Sequence, residues 1–410
     1  MTRDRLHFFF LNIGHLLDHF FVLIFATVAA LVLSQEWGMT YSELILYATP
    51  GFVAFGVCSL ASGWIADLWS RRGMMAVFFV GIGASSMLAS FAENPLQIGA
   101  ALFVMGVFAS IYHPVGLALV VEGRDKVGMP IAINGIYGNL GVGIAALLTG
   151  ILIDTAGWRA AFLWPGAVSI VIGLAYLGLF GVARQRPRGS DKKAAPVSAS
   201  ANGAGGFFAN NGGLVMRVIA IVFISTAMGG IIYQSTTFAL PKIFDERLSG
   251  MALSASLVGW YAFLVFAVAG IAQIVVGYFV DRLAVRTVFT VVAALQVIFF
   301  LAMPGLENWA AILVALAFML AVFGQIPIND VLVSRIAHSD WRSRIFAIRY
   351  IVTFSALGLA VPMIAWIYGT WGFDILFNVL AAAAMIILVT VIWLPGTIPT
   401  PETKALAAAE

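Results

Sequence analysis

Gly63-Trp64-Ile65-Ala66-Asp67-Leu68-Trp69-Ser70-Arg71-Arg72 and Gly277-Tyr278-Phe279-Val280-Asp281-Arg282-Leu283-Ala284-Val285-Arg286 are two versions of one charged turn. Gly63, Asp67 and Arg72 return as Gly277, Asp281 and Arg286, each 214 positions later. A second triple, Thr155, Gly157 and Phe162, returns as Thr370, Gly372 and Phe377 at a spacing of 215. In a chain of 410 residues these offsets divide the sequence into two similar halves, each with the same short turn at the same place.

Working outward from the turns, the flanking sequence is strongly apolar. Hydrophobic residues make up 62% of the chain and charged residues 10%, against about 25% charged in an ordinary soluble domain. A soluble fold has no means of hiding that much apolar surface. Apolar runs of the length that crosses a hydrocarbon core, about 20 residues, recur twelve times. They fall at 7–33, 44–68, 73–92, 96–121, 130–153 and 160–183, then at 214–240, 254–280, 287–305, 309–333, 344–368 and 373–394. The runs are continuous, whereas barrel strands are short and alternate. The sequence therefore predicts an all-α membrane protein of two six-helix bundles, 1–183 and 214–395, and duplication in so apolar a chain points to a transporter.

Orientation follows from Lys and Arg, which are retained on the cytoplasmic side. Placing both termini inside leaves only Arg159, Lys242 and Arg247 of the 22 basic residues outside. The net charge of +3 then reflects this retention signal and not a nucleic-acid surface. Residues 184–213, rich in Arg, Lys, Pro, Ser, Asn and Gly, read as a flexible basic cytoplasmic linker, with Phe207 and Phe208 on the membrane surface, and 396–410 as a cytoplasmic tail. The lone Cys58 excludes an intramolecular disulfide and a thiolate metal cluster. The first span follows Arg3 and Arg5 as a signal peptide would, but its length and lack of a small-residue cleavage site predict that it is retained.

Twelve helices, a central basic loop and the repeated turn together resemble the major facilitator superfamily (MFS). Residues 63–72 are similar to its signature between helices 2 and 3, Gly-x-x-x-Asp-Arg-x-Gly-Arg-Arg, with Leu68 and Ser70 in place of the usual Arg and Gly. Gly157-Trp158-Arg159-Ala160-Ala161-Phe162 resembles the segment that follows helix 5, and Phe373 and Asp374 replace Trp and Arg in its second-half counterpart. A narrower resemblance is to the fosmidomycin-resistance branch of exporters, carried by Gly14-His15-Leu16-Leu17-Asp18, Tyr112-His113-Pro114, Asn134-Gly135 and Gly138-Asn139-Leu140-Gly141. Leu17 stands where that branch has Asn before the Asp.

The resemblance implies that the turns act as a conformational latch: Gly63, Asp67, Arg71 and Arg72 in one half, Gly277, Asp281 and Arg286 in the other, with Arg124 and Arg335 as partners. A plain topology signal with a tight turn is the alternative. It also implies that helices 1, 4, 7 and 10 line a central cavity.

Asp18 lies about 11 residues into helix 1, roughly 16 Å deep at 1.5 Å per residue. A carboxylate there costs about 2.5 to 3.5 kcal/mol on insertion scales, so it should face a cavity, pair or take up a proton. Together with His15 it is the expected proton-coupling site. Asn12, His15 and His19 stand at i, i+3 and i+7, and with Asp18 they cover an arc of roughly 120°. That polar face, His113 and Gln234 are expected to line the cavity; histidines that only fix helix packing are the competing reading. His15-x-x-Asp18-His19 also has the look of a two-histidine metal pair with a carboxylate, but the sequence shows no third ligand, so no metal site is expected.

Asn329 and Asp330 in helix 10 and Arg349 in helix 11 complete the expected cavity. The Arg349 fork suits a phosphonate, phosphate or carboxylate, and a structural pair with Asp330 is equally admissible. Pro114 and Pro327, 213 positions apart, weaken helices 4 and 10 at matching depth. Gly135, Gly138, Gly141 and Gly143 permit close approach of another helix; the Gly-Pro pair of the exporters' antiport motif is missing there.

The leading expectation is an inner-membrane, proton-coupled exporter of a small anionic or amphiphilic molecule, monomeric and without a cofactor. Its partners are the substrate, protons and the bilayer, with no nucleic acid. Proton-coupled uptake of a carboxylate-type metabolite, a metal or a metal complex is the alternative. A non-transporting assembly factor or sensor is the alternative of another class. No Gly-x-x-x-x-Gly-Lys-Ser/Thr loop and no Gly-x-Ser-x-Gly occurs, which argues against primary pumping and against an enzyme.

Overall fold

The computed structural model describes residues 2–124, 128–182, 201–336 and 339–395. Lys126, the cluster from Arg184 to Lys193 and the tail 396–410 lie outside the described residues, as do the side chains of Phe207, Phe208 and Arg335.

Every regular element among the described residues is helical, and twelve helices are long and apolar enough to cross a bilayer. The first half comprises α1 (Arg3–Glu36), α2 (Tyr41–Leu68), α3 (Arg71–Ser90), α4 (Pro95–Val121), α5 (Gly128–Ala156) and α6 (Trp158–Phe180). The second comprises α7 (Ala201–Arg247), α8 (Ala255–Arg282), α9 (Val285–Ala302), α10 (Asn308–Ile336), α11 (Ser339–Trp371) and α12 (Phe373–Ile392). Since α7 begins at Ala201, residues 201–213 of the expected linker are helical. A helix already nucleated by the apolar span behind it extends without a second nucleation cost.

Polar residues at the turns set the helix ends. Thr40 and Glu43 form a reciprocal capping box at the start of α2. Ser70, which replaces the usual glycine of the charged turn, accepts a hydrogen bond from the Gly73 N–H at 3.0 Å and so caps α3. Asn94 with Pro95, and Ser254, start α4 and α8. Gly157 and Gly372 precede α6 and α12 with φ of 83° and 79°, a region essentially reserved for glycine. This explains why the second repeated triple keeps its glycine in both halves.

Because each helix crosses in turn, the α2–α3 and α8–α9 turns share one end of the bundle, called here the motif end. At the opposite, far end the halves are joined: Asp154 of α5 accepts hydrogen bonds from the backbone N–H groups of Ala255 (3.2 Å) and Ser256 (2.8 Å) at the start of α8. There α5 and α8 pack backbone to backbone, a Cβ on Gly150 falling 2.3 Å from the Ala255 carbonyl oxygen. Tyr41 of α2 meets Tyr368 of α11 edge to face at 5.4 Å. The three far-end cations are all matched, Arg159 with Glu36, Lys242 with Asp245 and Glu246, and Arg247 with Asp374.

Val57, Val171, Ile274, Leu313 and Trp366 expose more than half of their surface. A belt of that kind is stable only against hydrocarbon, and the protein is a multi-pass integral membrane protein. Among the described residues, Asp18 is the one buried charged side chain.

Candidate functional site

A cavity of about 300 Å³ lies between the halves. Besides α1, α4, α7 and α10, the helices α2, α5, α8 and α11 contribute to its wall. The lining residues nearest to a helix end, Gly135, Asn329, His113 and Gln273, all lie toward the motif end.

The first-half wall is built on the polar face of α1. His15 and His19 line the cavity; Asn12 and Asp18 lie behind it, buried at 3% and 0% exposure. Asn12 accepts a hydrogen bond from Asn134 Nδ2 (2.9 Å), which also donates to Tyr112 Oη (2.8 Å), and Tyr112 in turn donates to the Leu11 carbonyl (2.9 Å). Asn12 is thus a packing residue joining α1, α4 and α5. His15 Nδ1 donates to the Asn134 carbonyl oxygen at 2.8 Å, and its ring stacks on Tyr112 at 4.9 Å. Since a carbonyl only accepts, the proton sits on Nδ1, leaving the Nε2 lone pair, which has no hydrogen-bond partner. Close approach makes this possible: a Cβ on Gly138 would lie 2.7 Å from His15 Nε2, and one on Gly141 2.2 Å from the Leu16 carbonyl oxygen.

His113 comes from α4, in a π-helical turn at Tyr112–Gly116 around Pro114, a distortion that often marks functional positions. Its Nε2 stands 3.3 Å from Asp18 Oδ2, within ion-pair range, with no well-aligned hydrogen bond to either carboxylate oxygen. Asp18 therefore meets the cavity through His113. The His15–His19, His15–His113 and His19–His113 ring centroids are 5.0, 5.4 and 5.6 Å apart. The third imidazole that the sequence leaves unidentified for the His15–His19 pair is His113, which a helix nearly a hundred positions away supplies.

The second-half wall sets uncharged polar side chains among apolar ones, with Arg349 as its charged member. Gln325 donates to the Ser225 carbonyl (3.2 Å) and accepts from Gln296 (2.7 Å), while Ser225 Oγ donates to Asn329 (2.9 Å). Gln234 Nε2 and Thr226 Oγ1 face the cavity as buried atoms without a hydrogen-bond partner, groups of the kind that orient a ligand. Arg349 lines the cavity and is paired with Asp330, which lies outside the lining and is largely exposed.

The latch residues are arranged differently from expectation. Asp67 is held within its own segment by Arg71 (2.8 Å), and Arg71 also lies 3.9 Å from Glu122 at the end of α4. Arg124 does not reach Asp67; its guanidinium stacks over the Phe8 ring of α1 at 4.7 Å. Val285 occupies the position equivalent to Arg71, so Asp281 lacks this i, i+4 partner. Asp154 was not singled out by the sequence, where it reads as an ordinary helix-end carboxylate; Asn134 entered there only as part of the family resemblance, and its role comes from three-helix packing.

Known proteins of similar sequence and shape are transporters. A probable actinorhodin transporter of Streptomyces coelicolor is 30% identical over 39% of this chain and 29% of its own length. A probable sulfoacetate transporter of Cupriavidus necator is 27% identical over 38% of this chain and 36% of its own. The chain thus matches about a third of the length of these curated relatives. In fold it is similar to a bacterial homologue of the human lysosomal transporter Spinster, solved inward-facing and unoccupied, with a TM-score of 0.74, 14% identity and coverage of 96% of this chain and 95% of the other. The family model matches residues 11–256 and 222–410, both halves of the duplication, and the chain belongs to the Major Facilitator Superfamily of small-molecule transporters.

Proposed function

We propose that the protein is a proton-coupled exporter of the bacterial cytoplasmic membrane whose substrate is a small anionic or amphiphilic molecule. One observation carries the reading: Asp18 is fully buried, near the middle of α1, and reaches the cavity through His113 at 3.3 Å. A charge at that depth is costly, and neutralising it by proton uptake removes the cost. A protonated Asp18–His113 unit and a substrate held against the same wall then influence each other directly. With the motif end in the cytoplasm, the far-end closure at Asp154 leaves the cavity reaching toward the cytoplasm, the state from which an exporter loads. The apolar walls suit the body of an amphiphile, and Arg349 with Gln234 suits an anionic or hydrogen-bonding head.

Export follows when protonation from the far side weakens substrate binding and the neutral unit lets the halves return. Each entering proton supplies about 1.4 kcal/mol per pH unit and about 2.3 kcal/mol per 100 mV. The test is flux in proteoliposomes with an imposed pH gradient and a panel of amphiphilic anions. The wild-type chain should move at least one compound opposite to the protons, and Asp18→Asn should keep downhill exchange while losing pH-driven accumulation. Full pH-driven accumulation by Asp18→Asn would remove Asp18 as the coupling residue. Accumulation in the same direction as the protons would replace export by uptake.

A further inference from the structure

The geometry points to a divalent transition-metal site in the first-half wall of the cavity, formed by His15, His19 and His113. Each offers one ring nitrogen, and the three nitrogens lie within 4.8 Å of one another. Around a tetrahedral ion with bonds of about 2.1 Å, ligand nitrogens stand roughly 3.4 Å apart, so closure asks for shifts of at most about 1.4 Å.

Two further features fit coordination better than packing alone. The hydrogen bond from His15 Nδ1 to the Asn134 carbonyl fixes the tautomer and leaves the Nε2 lone pair buried without a partner. Metal-bound histidines are typically oriented this way by a carbonyl or carboxylate on the other ring nitrogen. Asp18 Oδ2 stands 3.3 Å from His113 Nε2 without an aligned hydrogen bond, so His113 would offer Nδ1 to the ion with the carboxylate behind its ring, and a dication there balances a buried negative charge. Three imidazoles suit zinc, copper, nickel or iron, and the position left over faces the cavity, open to water or to an anionic oxygen of a cavity ligand.

The inference deepens the transport reading by naming a ligand chemistry for the same cavity. It rests on that reading only for its meaning in transport, because metal binding is measurable without flux. The ion is either the head of a transported chelate or a resident ion that receives an anionic substrate; both use the same three nitrogens.

The experiment uses the untagged full-length chain in detergent, titrated with Co²⁺ and followed by the visible bands of a four-coordinate nitrogen site, with Zn²⁺ as competitor. One Co²⁺ per chain is expected, displaced by Zn²⁺. Asp18→Asn should weaken binding by about 10- to 100-fold, as loss of an outer partner does, and His19→Gln and His113→Gln by more. His7→Gln, a substitution in the same helix outside the cluster, should leave binding unchanged. Each variant is compared at equal thermal stability and monodispersity. A second arm measures Zn²⁺ entry into dye-loaded proteoliposomes, alone and with citrate: movement identifies cargo, and binding without movement identifies a resident ion. Absence of Co²⁺ binding, or binding that survives His19→Gln and His113→Gln, would overturn the site while leaving proton-coupled flux untouched.

Discussion

Gly157 and Gly372 show how a single residue can fix a repeat. Both sit in the last position before a helix, with φ of 83° and 79°. A side chain at such a φ, with ψ near 180°, carries a strain of about 1–3 kcal/mol. Nothing lies within 4 Å of the Cβ at either site, so the strain is conformational and not steric. Gly157→Ala and Gly372→Ala should therefore each destabilise the detergent-solubilised protein by roughly that amount, about 1–3 kcal/mol, seen as lowered thermal unfolding temperature. Gly178→Ala, inside α6 with open space around it and no positive φ, is expected to be neutral or slightly stabilising. Equal behaviour of Gly157→Ala and Gly178→Ala would show that backbone strain is not what preserves the repeated glycine.

At the scale of elements, the contact of α1 with α5 decides whether the histidine wall exists. Gly141 lets the α5 backbone approach so closely that a Cβ would lie 2.2 Å from the Leu16 carbonyl oxygen. Backbone cannot rotate away as a side chain can, so Gly141→Ala must push the helices apart. Gly135 has nothing within 4 Å of its Cβ, although it belongs to the same glycine series. Gly141→Ala is thus expected to lower both unfolding temperature and transport rate, with Gly135→Ala close to wild type in stability. The opposite ranking would mean that α1 and α5 are positioned by other contacts. The Asn12–Asn134–Tyr112 network supports the same junction, since each buried polar atom in it that loses its partner costs about 1–3 kcal/mol.

For the molecule as a whole, the two ends of the bundle are in different states. At the far end Asp154 holds α8 of the other half by two backbone hydrogen bonds, and α2 meets α11 so closely that a Cβ on Gly369 would sit 2.9 Å from that of Ser42. Rocking of the halves has to open this contact. Ser42→Cys with Gly369→Cys, in a Cys58→Ser background, should form a disulfide on oxidation, because Cβ atoms of about 3.5–4.5 Å separation are bridged readily and a small outward shift supplies that distance. The oxidised protein should lose net flux in proteoliposomes and regain it on reduction. Undiminished flux in fully cross-linked protein would show that the far end stays closed throughout the cycle.

Several features of this protein were set by the sequence alone, because they depend on neighbours along the chain. Apolar run length gives the helix count, and the 214-residue recurrence of Gly63, Asp67 and Arg72 gives the duplication. The depth of Asp18 follows from its place in α1, and no arrangement of the other helices alters it. At the same offset His15 and Asp18 correspond to Gly229 and Ile232, so the asymmetry between the halves was legible as well. What fills the vacated place was not: Gln325 lies over Gly229, its Nε2 2.6 Å from where a Cβ would stand. Tertiary structure alone joined His113 to His15 and His19 and turned Asn12 inward to Asn134. Each of these outcomes depends on how far one helix is rotated against another, and small-residue contacts such as Gly138 on His15 set that angle. A glycine in the sequence announces that something will approach closely, but only the packed bundle determines what.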